Sequence, residues 1–189
     1  MLEKQPLPDK KLTVPELDAW ILKQVQGVFG QQDMNVMKRE IEKLDNGQIY
    51  LEVGVNEGRS FGVASHYAKD GVYIIGVDII DVPPHEYSIG RALFMQNTMV
   101  GIGKRGFYVH GDADEFANLF CRKVDLLFID GHHDYDSVRA NTLKWEPKVA
   151  PGGTILFHDY DHPETKRWLD EHYGDDKEVF NLKIVKVRK

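Results

Sequence analysis

The stretch Ile49-Tyr50-Leu51-Glu52-Val53-Gly54-Val55-Asn56-Glu57-Gly58 decides the fold. A short run of β-forming residues breaks at one glycine, and a second glycine opens a helical stretch reaching about residue 69. The alternation then recurs. VYIIGVDI (72–79), FYVHGD (107–112), VDLLFIDG (124–131) and TILFHD (154–159) read as strands, with helices predicted at about 87–101, 113–121 and 137–147. Their continuous apolarity marks strands buried on both faces, as in a parallel sheet. Strand–helix repetition specifies a doubly wound α/β sheet with helices on both faces. A helix at about 163–173 and a hairpin-like stretch from Glu178 to Lys189 bring the mostly parallel sheet to seven strands.

Outward from this core (49–189), two extra N-terminal helices are predicted within 13–46. Thr13-Val14-Pro15-Glu16 is a capping box with proline in the first turn, and Leu17, Trp20, Ile21, Val25 and Val28 follow at helical spacing. The second helix carries Met34, Met37, Ile41 and Leu44 on one core-facing side and stops at Asp45-Asn46-Gly47. No linker divides the chain, so residues 1–189 read as a single domain.

Hydrophobic residues make up 42% and charged residues 29%, which excludes a disordered chain. A net charge of −6 argues against nucleic acid as partner. The basic terminus KIVKVRK reads as a charged edge strand. No apolar run approaches the ~18 residues of a membrane span, and no export signal is visible. Cys121, the single cysteine, can form no intrachain disulfide and is expected as a small semi-buried apolar residue. The expected location is the cytoplasm.

Ligands of such sheets bind beyond the carboxyl ends of the strands, near the point where strand order reverses. The predicted strands end at Glu52, Asp78, Asp112, Asp130 and Asp159. Any one of these could cap a helix. Five together on one sheet edge need a polar or cationic ligand. The E-x-G-x-x-x-G turn differs from the dinucleotide loop G-x-G-x-x-G, because Asn56 replaces the middle glycine and Glu52 would repel a pyrophosphate. Asp78 stands where an acidic side chain accepts hydrogen bonds from both hydroxyls of a ribose. Gly111-Asp112-Ala113 can meet an adenine amino group. Strand four runs into Ile129-Asp130-Gly131-His132-His133-Asp134-Tyr135, and Pro151-Gly152-Gly153 precedes a strand ending His158-Asp159-Tyr160.

On these motifs, residues 49–160 resemble a class I S-adenosylmethionine-dependent methyltransferase with a Rossmann-like sheet. The likeness is to the small O-methyltransferase-like group with IDGxHxY and PGGxxxFHD motifs. The resemblance implies that Glu52, Gly54, Asn56 and Gly58 cradle the methionine part of S-adenosyl-L-methionine, with Ser60 as a further candidate for its carboxylate. It implies that Asp78 holds the ribose, that Asp112 and Ala113 face the adenine, and that Asp130 also borders the cofactor.

In metal-dependent relatives the ligands occupy the ends of strands four and five. The resemblance therefore makes Asp130, His158 and Asp159 a candidate site for a divalent cation, Mg²⁺ or Mn²⁺. His158 and Tyr160 depart from the relatives' all-oxygen set, and imidazole shifts preference away from Mg²⁺. Both readings of the pair remain open at this point: metal ligands, or caps of the following loops. His133 matches the family histidine and is either a general base or a loop brace. Asp130 is placed with it in the catalytic set. The implied reaction is methyl transfer to a hydroxyl oxygen of a small-molecule acceptor. The alternatives are a metal-free methyltransferase on another acceptor and a non-catalytic cofactor-binding protein. The acceptor is not legible, and the short chain leaves room for a second subunit in closing the site.

Overall fold

The computed structural model describes residues 29–56, 58–79 and 105–189. The capping box at Thr13, the first N-terminal helix, Glu57 and the helix expected at 87–101 lie outside the described residues. Helix α1 (Gln31–Ile41) leads into β1 (Ile49–Val53). The elements α2 (Arg59–Tyr67), β2 (Tyr73–Asp78), β3 (Arg105–His110), α3 (Ala113–Leu119) and β4 (Val124–Ile129) follow. The chain ends through α4 (Tyr135–Trp145), a 3-10 turn, β5 (Val149–Phe157), α5 (Pro163–Tyr173), β6 (Lys177–Phe180) and β7 (Ile184–Arg188).

The seven strands form one sheet in the order β3-β2-β1-β4-β5-β7-β6. Strands β1 to β5 pair in parallel, and β7 lies antiparallel between β5 and β6. The order reverses between β1 and β4, so the carboxyl ends of those two strands frame the crevice.

Side-chain alternation explains the unbroken apolar runs. Tyr50, Leu126, Phe128, Leu156 and Ile184 pack on one face against Met34, Met37 and Ile41 of α1 and Phe61 of α2. Leu51, Val53, Leu127, Ile129, Ile155 and Phe157 pack on the other face against Trp145 of α4 and Trp168 and Leu169 of α5. A strand covered on both sides must be apolar at every position.

Three local expectations change. The terminal strand is not an edge: β6 holds the edge, and β7 is covered on both sides with Ile184, Val185 and Val187 buried. Its central Lys186 is tolerated there because Nζ reaches Glu40 Oε1 of α1 at 3.1 Å. Strand β5 starts at Val149 rather than Thr154, with a register shift opposite Val124–Leu126 that takes up the Pro-Gly-Gly segment. Cys121 is exposed rather than semi-buried. Among the described residues no helix is long and apolar enough to cross a membrane.

The Glu40–Lys186 pair tests how α1 is held. Glu40 is 2% exposed and also accepts from Lys43 Nζ at 2.7 Å. Glu40→Ala leaves Lys186 buried with, among the described residues, the exposed carboxylate of Glu178 at 3.6 Å. A loss of about 3 kcal/mol is expected, the low end for breaking a buried pair. Urea denaturation checks it, and a loss below about 1 kcal/mol would mean the pair is as weak as an exposed one.

Candidate functional site

Four strand ends converge at the reversal of strand order. Gly54 N–H donates to Val77 O of β2, Asp130 N–H to Val53 O of β1, and His158 N–H to Ile129 O of β4. This lateral pairing sets residues 54, 78, 130 and 158 side by side along one edge. Gly54 has φ +88°, and a Cβ there would lie 2.2 Å from the Asp130 carbonyl oxygen. No side chain fits, and the close approach leaves the crevice floor made of backbone. Gly58, with φ +82°, caps the start of α2. Between them Asn56 is exposed and left-handed at φ +45°, and its N–H donates to Asp78 Oδ2 at 2.5 Å. The expected cradle residues Gly54, Asn56 and Gly58 therefore form one turn joined to the expected ribose carboxylate.

Glu52 sits differently from the expectation that it lines the crevice. Its carboxylate is fully buried, accepting from Tyr50 Oη at 2.6 Å and Ser60 Oγ at 2.5 Å. Burial is the largest effect on its pKa. The two hydroxyls pull it down, the charges of Asp130 and Asp78 push it up, and the result is about 8. Ser60 is spent on this contact. Glu52 and Ser60 thus brace the glycine turn from beneath. Asp112 caps α3, its Oδ1 accepting from Glu115 N–H at 2.8 Å, with Ala113 as the first helical residue.

The other side of the crevice is a charge cluster. One donor atom each from Asp130, His158 and Asp159 lies within 4.8 Å of the others. His158 Nδ1 is 3.2 Å from Asp130 Oδ1 and 3.0 Å from Asp159 Oδ2, and its side chain is 0% exposed. Burial works against a positive ring, but Asp130, Asp159 and Asp33 outweigh it and push the imidazolium up to about 12. Burial raises Asp130, and His158 only partly offsets that. For Asp159 burial also acts upward, yet His158, followed by His133 and Lys183, holds the carboxyl below its ordinary value. Asp159 itself is left-handed, φ +53°, which turns its side chain back over the strand end. His133 stands at the mouth, 44% exposed, with Nδ1 3.4 Å from Asp159 Oδ2. Its carbonyl accepts from Thr165 Oγ1 at 3.2 Å, which fixes the loop to α5.

Both nitrogens of His158 and Asp159 Oδ2 are buried without an aligned hydrogen bond. His158 Nδ1 and Asp159 Oδ2 from this set, with a carboxylate oxygen of Asp130, form a group of donors that suits a divalent cation. One contributor escaped sequence reasoning. Asp33 of α1, 3% exposed, lies 3.6 Å from His158 Nε2.

The family model described as a methyltransferase domain matches residues 51–160, more than half of the chain. Two solved structures share the fold. CalS11, a TDP-rhamnose 3'-O-methyltransferase of calicheamicin biosynthesis, superposes with a TM-score of 0.64 at 15% identity, over 95% of this chain and 96% of that one. The O-methyltransferase from Bacillus cereus, in complex with SAH, gives 0.63 at 13% identity, over 92% and 87%. The uncharacterized protein y4gI of Sinorhizobium fredii is 50% identical over 36 residues, 19% of this chain and 4% of that protein. The chain therefore spans a small fraction of the curated relative it matches.

The Glu52 contact predicts a pH effect on stability. Its unfolded value is 4.5 and its folded value about 8, so over that interval the folded chain keeps a proton the unfolded chain has released. The contribution is complete below the unfolded value and is lost as pH rises to the folded one, with a slope of up to about 1.4 kcal/mol per unit. Urea midpoints of the wild type should fall, relative to Glu52→Gln, between about pH 5 and about pH 8. Parallel profiles would show that Glu52 ionises freely.

Proposed function

The chain belongs to the methyltransferase-domain family, and from that premise we propose that it transfers a methyl group from S-adenosylmethionine to a hydroxyl oxygen of a small molecule, with a divalent cation at Asp130, His158 and Asp159. The observation that carries the reading is the single crevice at the β1–β4 reversal. The turn at Gly54, where no side chain fits, is joined through Asn56 to Asp78 on one side of it, and the Asp130–His158–Asp159 cluster lies on the other.

When bound, S-adenosylmethionine would supply an electrophilic methyl on a sulfonium, and a cation held by Asp130, His158 and Asp159 would act as a Lewis acid that lowers the pKa of an acceptor hydroxyl. The protein's part is mainly placement, which can be worth about 7–11 kcal/mol when two reactants are aligned. Asp78 would accept from the ribose hydroxyls, Asp112 and Ala113 would meet the adenine, and the Gly54–Gly58 turn would hold the methionine end. Asp130 borders both halves of the crevice. With Nδ1 of His133 facing Asp159, its other nitrogen is left to take the acceptor proton, and the Asp159 carboxylate steadies the resulting imidazolium.

A second, metal-free reading has its own support. His158 is charged well above neutral pH when no cation competes, so the cluster carries its own positive group. In that case His133 alone activates the acceptor.

Calorimetry should show S-adenosylmethionine binding, weakened by about 1.5–3 kcal/mol in Asp78→Ala through loss of charge-assisted hydrogen bonds. Unchanged binding in that variant, or none in the wild type, defeats the cofactor reading. With a labelled donor and a panel of hydroxylated small molecules, a chelator should abolish transfer and Mg²⁺ or Mn²⁺ should restore it. Asp159→Asn should lose transfer while still binding the cofactor. Full activity in excess chelator selects the metal-free reading, with His133→Ala then the most damaging change. Cofactor binding with no transfer to any acceptor favours a non-catalytic binding protein.

A further inference from the structure

We propose that Asp33 is a positioning residue of the site, orienting the His158 ring from α1 so that Nδ1 is turned to Asp130 and Asp159. The inference rests on the cation reading above and concerns a residue outside the family-matched segment 51–160.

The His158 ring has no water-facing atom, its side chain being 0% exposed. The rings of Phe29 and Phe128 flank it, with centroids 5.6 and 6.2 Å away. Apolar walls cannot tell one ring nitrogen from the other. Among the described residues the carboxylate facing Nε2 is Asp33, with Oδ2 at 3.6 Å, whereas Asp130 and Asp159 face Nδ1. A carboxylate beside one nitrogen keeps the proton there and leaves the opposite lone pair for a cation.

Asp33 is itself held from two directions. Its Oδ2 accepts from Gly30 N–H at 2.7 Å, and its Oδ1 accepts from Asn181 Nδ2 at 2.5 Å. Asn181 occupies the β6–β7 turn in a left-handed conformation, φ +45°, which presents its amide to α1. Two hydrogen-bond donors, Gly30 N–H and Asn181 Nδ2, thus converge on the Asp33 carboxyl. The plain alternative is that Asp33 only completes the capping box of α1 through Gly30. An asparagine oxygen in the place of Oδ2 still accepts that N–H but no longer brings a charge to Nε2, so Asp33→Asn separates capping from orientation by the carboxylate charge.

The experiment has three readouts on Asp33→Asn and the wild type. Mn²⁺ affinity is measured as the part of binding lost in Asp159→Asn. S-adenosylmethionine affinity is measured by calorimetry, and the ¹⁵N shifts of His158 are recorded with Zn²⁺ bound. The expected result is Mn²⁺ affinity about 10–100-fold weaker, as for loss of a carboxylate behind a metal-bound histidine. Cofactor affinity should be unchanged. The ¹⁵N shifts should show Nε2–H with Nδ1 ligated in the wild type and loss of that pattern in the variant. Equal Mn²⁺ affinity with the wild-type ¹⁵N pattern overturns the proposal and leaves the cation reading standing. No Mn²⁺ binding to the wild type overturns both. Should Asp33→Asn not fold, Asn181→Gly suits the positive φ and removes one restraint on Asp33. It should then weaken Mn²⁺ binding by a smaller factor, and no change there overturns the proposal.

Discussion

Burying several carboxylates at the end of a close-packed sheet requires a positive charge among them, a requirement that a protonated His158 meets where no cation does. Asp33, Asp130 and Asp159 come from three separate parts of the chain, and each contacts one ring that is 0% exposed. Isolated carboxylates in that position would take up protons or leave the interior. Around the imidazole Asp33 and Asp159 are held below the ordinary carboxylate value, while burial keeps Asp130 above it. Asp33 of α1 and the left-handed Asp159 meet this ring directly, and Asn181 of the β6–β7 turn is linked to it through Asp33.

The crevice divides by mechanical character. On the β1–β2 side the floor at residue 54 is backbone, because no side chain fits there, and the Asn56 N–H is tied to Asp78. Such a surface is fixed by sheet register and changes little when side chains rotate. On the β4–β5 side the surface is ionisable side chains, whose balance shifts with any charge brought near them. A rigid half suits a ligand that is always the same. A responsive half suits chemistry in which charge develops.

Most of the fold was legible, for a simple reason. Buried parallel strands must be apolar at every position, and that pattern survives in the sequence without knowledge of partners. Asp130, His158 and Asp159 were legible because each ends a strand, and strand ends in this architecture lie along one edge. Asp33 was not. An aspartate near a helix start reads as a cap, and its partners at 158 and 181 belong to elements whose placement depends on the whole sheet. The same reason hid Lys186: lysines in a terminal strand suggest solvent until Glu40 on α1 is known to face one of them. The inward turn of Glu52 was missed because its partners, Tyr50 and Ser60, look like an ordinary strand residue and a helix residue when taken singly.

The ties between α1 and the last hairpin also bear on the chain during its synthesis. Asn181 meets Asp33 across 148 positions of sequence, and Lys186 meets Glu40 across 146. A ribosome therefore delivers the glycine turn and the parallel strands long before the groups that secure α1 beside His158. Until β7 emerges, the parallel strands are present without the groups that secure Asp33 beside His158. Contacts of such span form late and slowly. Until β7 is made, α1 lacks the Asn181 and Lys186 partners that tie Asp33 and Glu40 to the sheet.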